Sequence, residues 1–146
     1  MPAKYKLVLR KDMRKDAAEG SKLYYASANT TGTCDVYELC DLISAQSTAS
    51  SGDVKLILDE LVNVMRRNLG KGEVVKVGEL GSFQLQFGST GTVTEKEFTQ
   101  ALIKSRRIVF RPGKLLKDAV KNYTFEKIVS GAPAEGGGED DRPGEL

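Results

Sequence analysis

Apolar and polar residues alternate weakly from Tyr5 to Arg10 and again from Lys22 to Ser27, where Leu23, Tyr24 and Tyr25 add strand-forming side chains. Each stretch predicts a short strand, and the charged interval from Lys11 to Gly20 predicts the loop of a hairpin. An isolated hairpin is marginal in water, so these strands must dock on something or extend a sheet. Asn29 to Thr33 reads as a linker. The period then changes to that of a helix. Thr33 or Asp35 can cap a helix running to about Ala45, with Val36, Leu39, Cys40 and Ile43 on one face. Small polar residues from Gln46 to Gly52 supply a turn. Ser51 or Asp53 then opens a longer helix to about Leu69.

In that longer helix Val54, Ile57, Leu58, Leu61, Val62, Val64, Met65 and Leu69 cover more than a narrow stripe. One face can pack on the preceding helix. The remainder is covered either by the strands that follow or by a second chain, because a body of about 90 residues buries proportionally little of its own surface. Gly70-Lys71-Gly72 ends the helix. Strands are predicted over Glu73 to Val77 and Ser82 to Phe87, the second placing Phe83, Leu85 and Phe87 on one side. Gly78 and Gly81 lie in their connection, where backbone with φ > 0 or a close approach is expected.

Arg106 to Lys121 reads as strand, turn and helix. Ile108, Val109 and Phe110 suit a strand, and Pro112-Gly113 breaks it. Leu115, Leu116, Ala119 and Val120 then share one helical face, with Lys114, Lys117 and Lys121 on the other. Arg106, Arg107 and Arg111 add charge at the helix entrance, where unpaired N–H groups already favour an anion such as phosphate. Such a lysine row can also be no more than the solvated side of an amphipathic helix.

Charge sharpens this picture. The net charge of +2 conceals an asymmetry, since Gly131 to Leu146 carries Glu135, Glu139, Asp140, Asp141 and Glu145 against Arg142 alone. Without that stretch 21 basic and 15 acidic residues remain, a net of +6 that suits a polyanionic partner. The stretch itself has too little apolar surface to order itself, and is expected to be a disordered tail; as an alternative its acids mimic a polyanion and compete for the basic surface.

Histidine is absent, which removes the commonest general base and zinc ligand. Cys34 and Cys40 match no metal or redox spacing and are read as reduced thiols, Cys40 on an apolar face. Gly78 to Gly81 lacks the pattern of a nucleotide-phosphate loop. No metal, cofactor or small-molecule substrate is expected, and no enzyme. No apolar run approaches the ~20 residues of a membrane span, and the first residues lack a signal-peptide core, so a cytoplasmic location is expected.

Two segments carry a resemblance. Phe110-Arg111-Pro112-Gly113-Lys114, followed by Leu116-Lys117-Asp118-Ala119-Val120-Lys121, resembles the strand and last helix of the HU and integration host factor family of DNA-bending proteins. Gly78-Glu79-Leu80-Gly81-Ser82-Phe83 resembles the turn between that family's first two strands. The likeness covers roughly Thr33 to Lys127. It implies an α+β fold: an intertwined dimer with two N-terminal helices, a three-stranded antiparallel sheet with an arm, and a C-terminal helix. Three regions follow: a β-hairpin extension at 1–32, an HU-like DNA-binding domain at 33–130, and the tail at 131–146.

The implied function is architectural, histone-like binding of double-stranded DNA by a homodimer in the nucleoid, through phosphate contacts and DNA shape. Candidate contacts are Lys104, Arg106, Arg107, Arg111, Lys114, Lys117 and Lys121, with backbone donors near Gly113. The alternative is a structural or assembly protein that keeps the scaffold and binds protein. Gly88 to Ser105 departs from the family, whose arm here is long, basic and tipped by a proline wedge. This segment has no proline, its charges cancel, and Thr94-Glu95-Lys96-Glu97 has the form of a capping box. A shortened or folded arm is expected, with Phe98, Leu102 and Ile103 packed on the body. The segment from Tyr123 to Val129 is expected to form a helical extension or an extra strand.

Overall fold

The computed structural model describes residues 1–129, and the tail expected at 131–146 lies outside them. In chain order the elements are β1 (Ala3–Lys11), β2 (Lys22–Asn29), α1 (Val36–Ala45), α2 (Ser51–Gly70), β3 (Val75–Val77), β4 (Gly81–Ser89), β5 (Ile103–Pro112), α3 (Lys114–Val120) and β6 (Phe125–Lys127). They form two units. One comprises Met1–Thr31 and the described residues from Thr124 to Val129; the other comprises Gly32–Tyr123.

The first unit is a three-stranded sheet of order β2-β1-β6. β1 and β2 pair antiparallel from Lys4↔Asn29 to Lys11↔Lys22, as the two alternating stretches predict. Their connection is closed by the Asp12 N–H donating to the Ser21 carbonyl at 2.9 Å and by the Arg14 guanidinium on the Asp12 carboxylate at 2.6 Å. Arg14 holds that carboxyl below its usual range. The contribution of the pair is therefore present above the unfolded value and lost as pH falls through the depressed one. β6 pairs parallel with the start of β1, Ala3↔Phe125 to Tyr5↔Lys127. Of the two forms open to the segment after Asn122, the extra strand is the one adopted.

The second unit opens with the helices. Asp35 caps α1, its carboxylate accepting from the Glu38 N–H at 2.9 Å. The cap of α2 lies one residue before the expected position: Ser50 and Asp53 form a reciprocal capping box, two bonds of 3.1 Å. At the other end Gly72, at φ 83°, lets its own N–H and that of Glu73 turn back to Leu69 and Asn68. This helix termination uses the Glu73 N–H, and β3 starts only at Val75, two residues later than its composition predicts. Cys40, Val54 and Leu69 are the buried apolar side chains among the described residues. Leu58, Leu61 and Met65 of α2 are half-buried, but its other side is open, and Ile57 and Val62 are more than 60% exposed.

The second sheet runs β3-β4-β5, antiparallel throughout. β4 and β5 pair from Gly81↔Pro112 to Phe87↔Arg106, then, after a register shift, at Ser89↔Ile103. There the ribbon ends. The link between them makes two single 3₁₀ turns, Glu95–Glu97 and Gln100–Leu102. The capping box expected at Thr94 does not form, because its side chain makes no cap hydrogen bond; the carbonyl of Thr94 instead accepts from the Thr92 hydroxyl and the Glu97 N–H. The arm is thus short, as expected, but Phe98 remains 41% exposed and is less covered than its apolar ring predicts.

Gly78 and Gly81 both adopt positive φ in the β3–β4 turn. A Cβ on Gly81 would overlap the Arg111 carbonyl, and one on Gly113 would overlap the Glu79 carbonyl. The Gly113 N–H donates to the Leu80 carbonyl at 3.1 Å across this contact. Gly113→Ala should therefore destabilise the protein by about 1–3 kcal/mol through overpacking. Gly52→Ala, in α2 with only ordinary contact at 3.8 Å from the Ser50 hydroxyl oxygen, should raise stability by up to about 1 kcal/mol. Urea titrations at one protein concentration measure both; equal stability of Gly113→Ala and the unaltered protein would remove the contact from the account.

Candidate functional site

Strand alternation and register decide which cations meet. Lys76 on β3 lies opposite Ser82 on β4, and Ser82 lies opposite Arg111 on β5. Directly paired residues point to one side of a sheet, so these three form a row about 10 Å long across two strand spacings. Lys117 of α3 joins them. Together with Gly78, Gly81, Pro112 and Gly113 they line an open depression of about 280 Å³ with no carboxylate in its wall. Two of its walls are the glycines whose missing side chains allow the turn and the strand–helix junction to touch. Three cations, a hydroxyl and exposed backbone around a shallow depression can take an anionic oxygen group such as a phosphate by charge-assisted hydrogen bonds.

Further along the same face, Gln84 opposes Val109 and Gln86 opposes Arg107. Arg107 lies four residues from Arg111, about 13 Å along the strand. Its guanidinium donates to the Gln86 side-chain oxygen at 3.1 Å. This orients the group while leaving it exposed beside a second shallow depression formed with Phe87, Gly88 and Ser105.

The remaining sequence candidates do not share this face equally. Arg106 opposes Phe87 and stands on the other side, with the apolar pairs Phe83↔Phe110 and Leu85↔Ile108. The rings of Phe83 and Phe110 lie 4.9 Å apart there. Lys104 is exposed on β5 close to the register shift. Lys114 is exposed at the first position of α3, whereas Lys121 follows its end and is paired with Asp118 at 3.1 Å. The Gly113 N–H, expected as a phosphate donor, is already engaged by Leu80. Donors at this helix end fall instead to the following residues, whose N–H groups have no intrahelical acceptor.

Lys76 was absent from the sequence candidates. Its signal was available only in combination: Val75-Lys76-Val77 alternates, and a tight turn over Gly78 to Gly81 puts Lys76 opposite Ser82. Cys34 and Cys40 are both free thiols, Cys40 buried. Among the described residues no group of three or more histidine, cysteine or acidic side chains is placed to hold a metal ion, and no helix is long and apolar enough to cross a membrane.

The sequence pattern of the family described as "HU domain fused to wHTH, Ig, or Glycine-rich motif" matches residues 1–127. DNA-binding protein HU of Thermotoga maritima is 34% identical over 86 residues, covering 58% of this chain and 96% of its own. The alpha subunit of integration host factor from Rhodopseudomonas palustris is 33% identical over 107 residues, 68% of this chain and 84% of that one. Among solved structures, a candidate bacterial DNA-binding protein from Bacteroides vulgatus superposes with a TM-score of 0.61 at 20% identity, over 86% of this chain. This chain spans about half of that one, 48%. At that identity the likeness concerns the fold alone.

If the row on the sheet is the anion surface, Lys76→Ala should weaken binding of a short duplex DNA about as much as Arg111→Ala does. Arg106→Ala, on the opposite face, should weaken it less. Fluorescence anisotropy at one fixed salt concentration compares the three; an effect of Arg106→Ala larger than that of Lys76→Ala would contradict the assignment of faces.

Proposed function

Because this chain belongs to the family of HU domains fused to winged-helix, Ig or glycine-rich motifs, we propose that it is an architectural, nucleoid-associated DNA-binding protein acting as a homodimer. The observation that carries the reading is the row Lys76, Ser82 and Arg111 with Lys117 beside it, cationic and free of carboxylates. Arg107 extends it and Lys114 flanks it. In this reading all of them contact phosphate, and affinity depends on charge and DNA shape with little reading of bases.

Dimerisation is supported by what one chain leaves open. Leu56, Ile57 and Val62 on α2 and Leu115 and Val120 on α3 are each more than half exposed, as is Ile108 on β5. These belong to elements whose apolar faces a single chain would bury if it were self-sufficient. A second copy that interleaves its helices with these surfaces supplies the missing core. The short arm favours holding DNA along the sheet over inserting a wedge between base steps, since the ribbon stops at Ser89↔Ile103.

The competing reading, an assembly protein that uses this scaffold to bind other proteins, draws its support from the same short arm. Sedimentation equilibrium and duplex binding at two salt concentrations separate the two. The DNA-binding reading predicts a species of about twice 15.9 kDa whose affinity for duplex falls steeply with salt. A folded monomer at micromolar concentration would remove the dimer, and a dimer without salt-sensitive duplex binding would leave the assembly role.

A further inference from the structure

The N-terminal sheet has its own distribution of charge. Its three strands contain Lys4, Lys6, Arg10, Lys11, Lys22 and Lys127 against a single carboxylate, Glu126. That carboxylate is already paired with Lys4 at 2.5 Å. The sheet therefore concentrates positive charge far more than the rest of the chain, and none of its cations belongs to the row on the second sheet.

One of its faces is also open and aromatic. Register places Tyr5, Leu7 and Leu9 of β1 on the same side as Tyr24 of β2 and Phe125 of β6. Tyr24 is 70% exposed and Phe125 68%, and both leucines are more than two-fifths exposed. Lys11 and Lys22 face each other at one end of this side, Lys127 stands beside Tyr5 at the other, and no acidic residue of the strands shares it. Between the aromatic rings β2 presents only Ala26 and Ala28. A cavity of about 580 Å³ has Leu7, Tyr24 and Lys127 of this side in its wall, together with Lys6, Asn29 and Ile128.

We propose that this face of the N-terminal sheet binds single-stranded nucleic acid, with unpaired bases stacked on Tyr24 and Phe125 and the backbone phosphates held by Lys11, Lys22 and Lys127. Flat aromatic surfaces flanked by cations match the two exposed chemistries of an unpaired strand, its base faces and its charged backbone. A duplex hides the first of these inside its stack. A second copy of the same face would set like charges against each other at both ends, which disfavours self-pairing. The surface is separate in sequence and in sheet from the duplex surface proposed above and does not rest on it.

The test uses the full chain with a fluorescent oligothymidylate and, in parallel, a duplex of the same length. Tyr24→Ala combined with Phe125→Ala should weaken oligothymidylate binding by at least about tenfold and leave duplex binding unchanged; Tyr24→Phe should retain it. Lys11→Gln with Lys22→Gln should lower the single-strand salt slope by about 1.4. Arg111→Ala with Lys117→Ala should weaken the duplex alone. An NMR titration of the unaltered chain provides a reading that needs no variant: amide shifts induced by oligothymidylate should centre on Leu7, Leu9, Tyr24 and Ala26. Shifts confined to Gly78–Lys117, or loss of oligothymidylate binding only in Arg111→Ala with Lys117→Ala, would overturn the proposal. So would line broadening of those β1 and β2 amides that depends on protein concentration and ignores oligonucleotide, which would make the face a protein-docking surface.

Discussion

The β3–β4 turn and the β5–α3 junction approach so closely that neither can carry a side chain at the contact. Gly81 meets the carbonyl of Arg111, Gly113 meets that of Glu79, and the Gly113 N–H closes onto Leu80. This contact fixes where β5 ends and where α3 begins. It also fixes which cations share a depression, since Lys76 leads into the turn, Arg111 precedes the junction and Lys117 follows it by one helical turn. The two segments whose motifs carry the family resemblance are thus the two partners of one backbone contact. Gly81 and Gly113, one in each segment, have a single physical cause.

Around that contact the second unit is spare. Cys40, Val54 and Leu69 are its buried apolar residues, and the capping box at Ser50 and the glycine termination after Leu69 set the ends of α2 locally. Local signals therefore delimit the helices, while one chain leaves much of their apolar surface exposed, and a helical face in water gains little from propensity alone. The basic row and the unburied faces are linked in the proposal: the proposed dimer would cover those faces and carry two copies of Lys76, Arg111 and Lys117.

Much of this was legible in the sequence because the signals are short-ranged. The hairpin of β1 and β2, both N-terminal helices, the positive-φ turn and the strand–turn–helix at Arg106 to Lys121 all follow from alternation, helical period and glycine placement within about twenty residues. What was not legible depends on pairing across the chain. The parallel match of Phe125–Lys127 with Ala3–Tyr5 joins segments from opposite ends of the described chain, and three residues carry no signal for a partner so distant. Adjacency in sequence makes the basic cluster look like one set. Strand alternation separates Arg106 from Arg107, register brings in Lys76, and Asp118 pairs with Lys121. The Thr94 box failed for a local reason: one 3₁₀ turn is too short to leave helical N–H groups for the threonine to cap.

The central claim is that duplex DNA is held by phosphate contacts at the Lys76, Arg111 and Lys117 depression. Its most direct test is the salt dependence of duplex affinity for the chain with all three replaced by alanine, against the unaltered chain. Each phosphate contact removed lowers the slope of log affinity against log salt by about 0.9, so a loss of about 2.7 per chain is predicted. An unchanged slope in a folded variant would place the DNA elsewhere on the molecule and contradict the account.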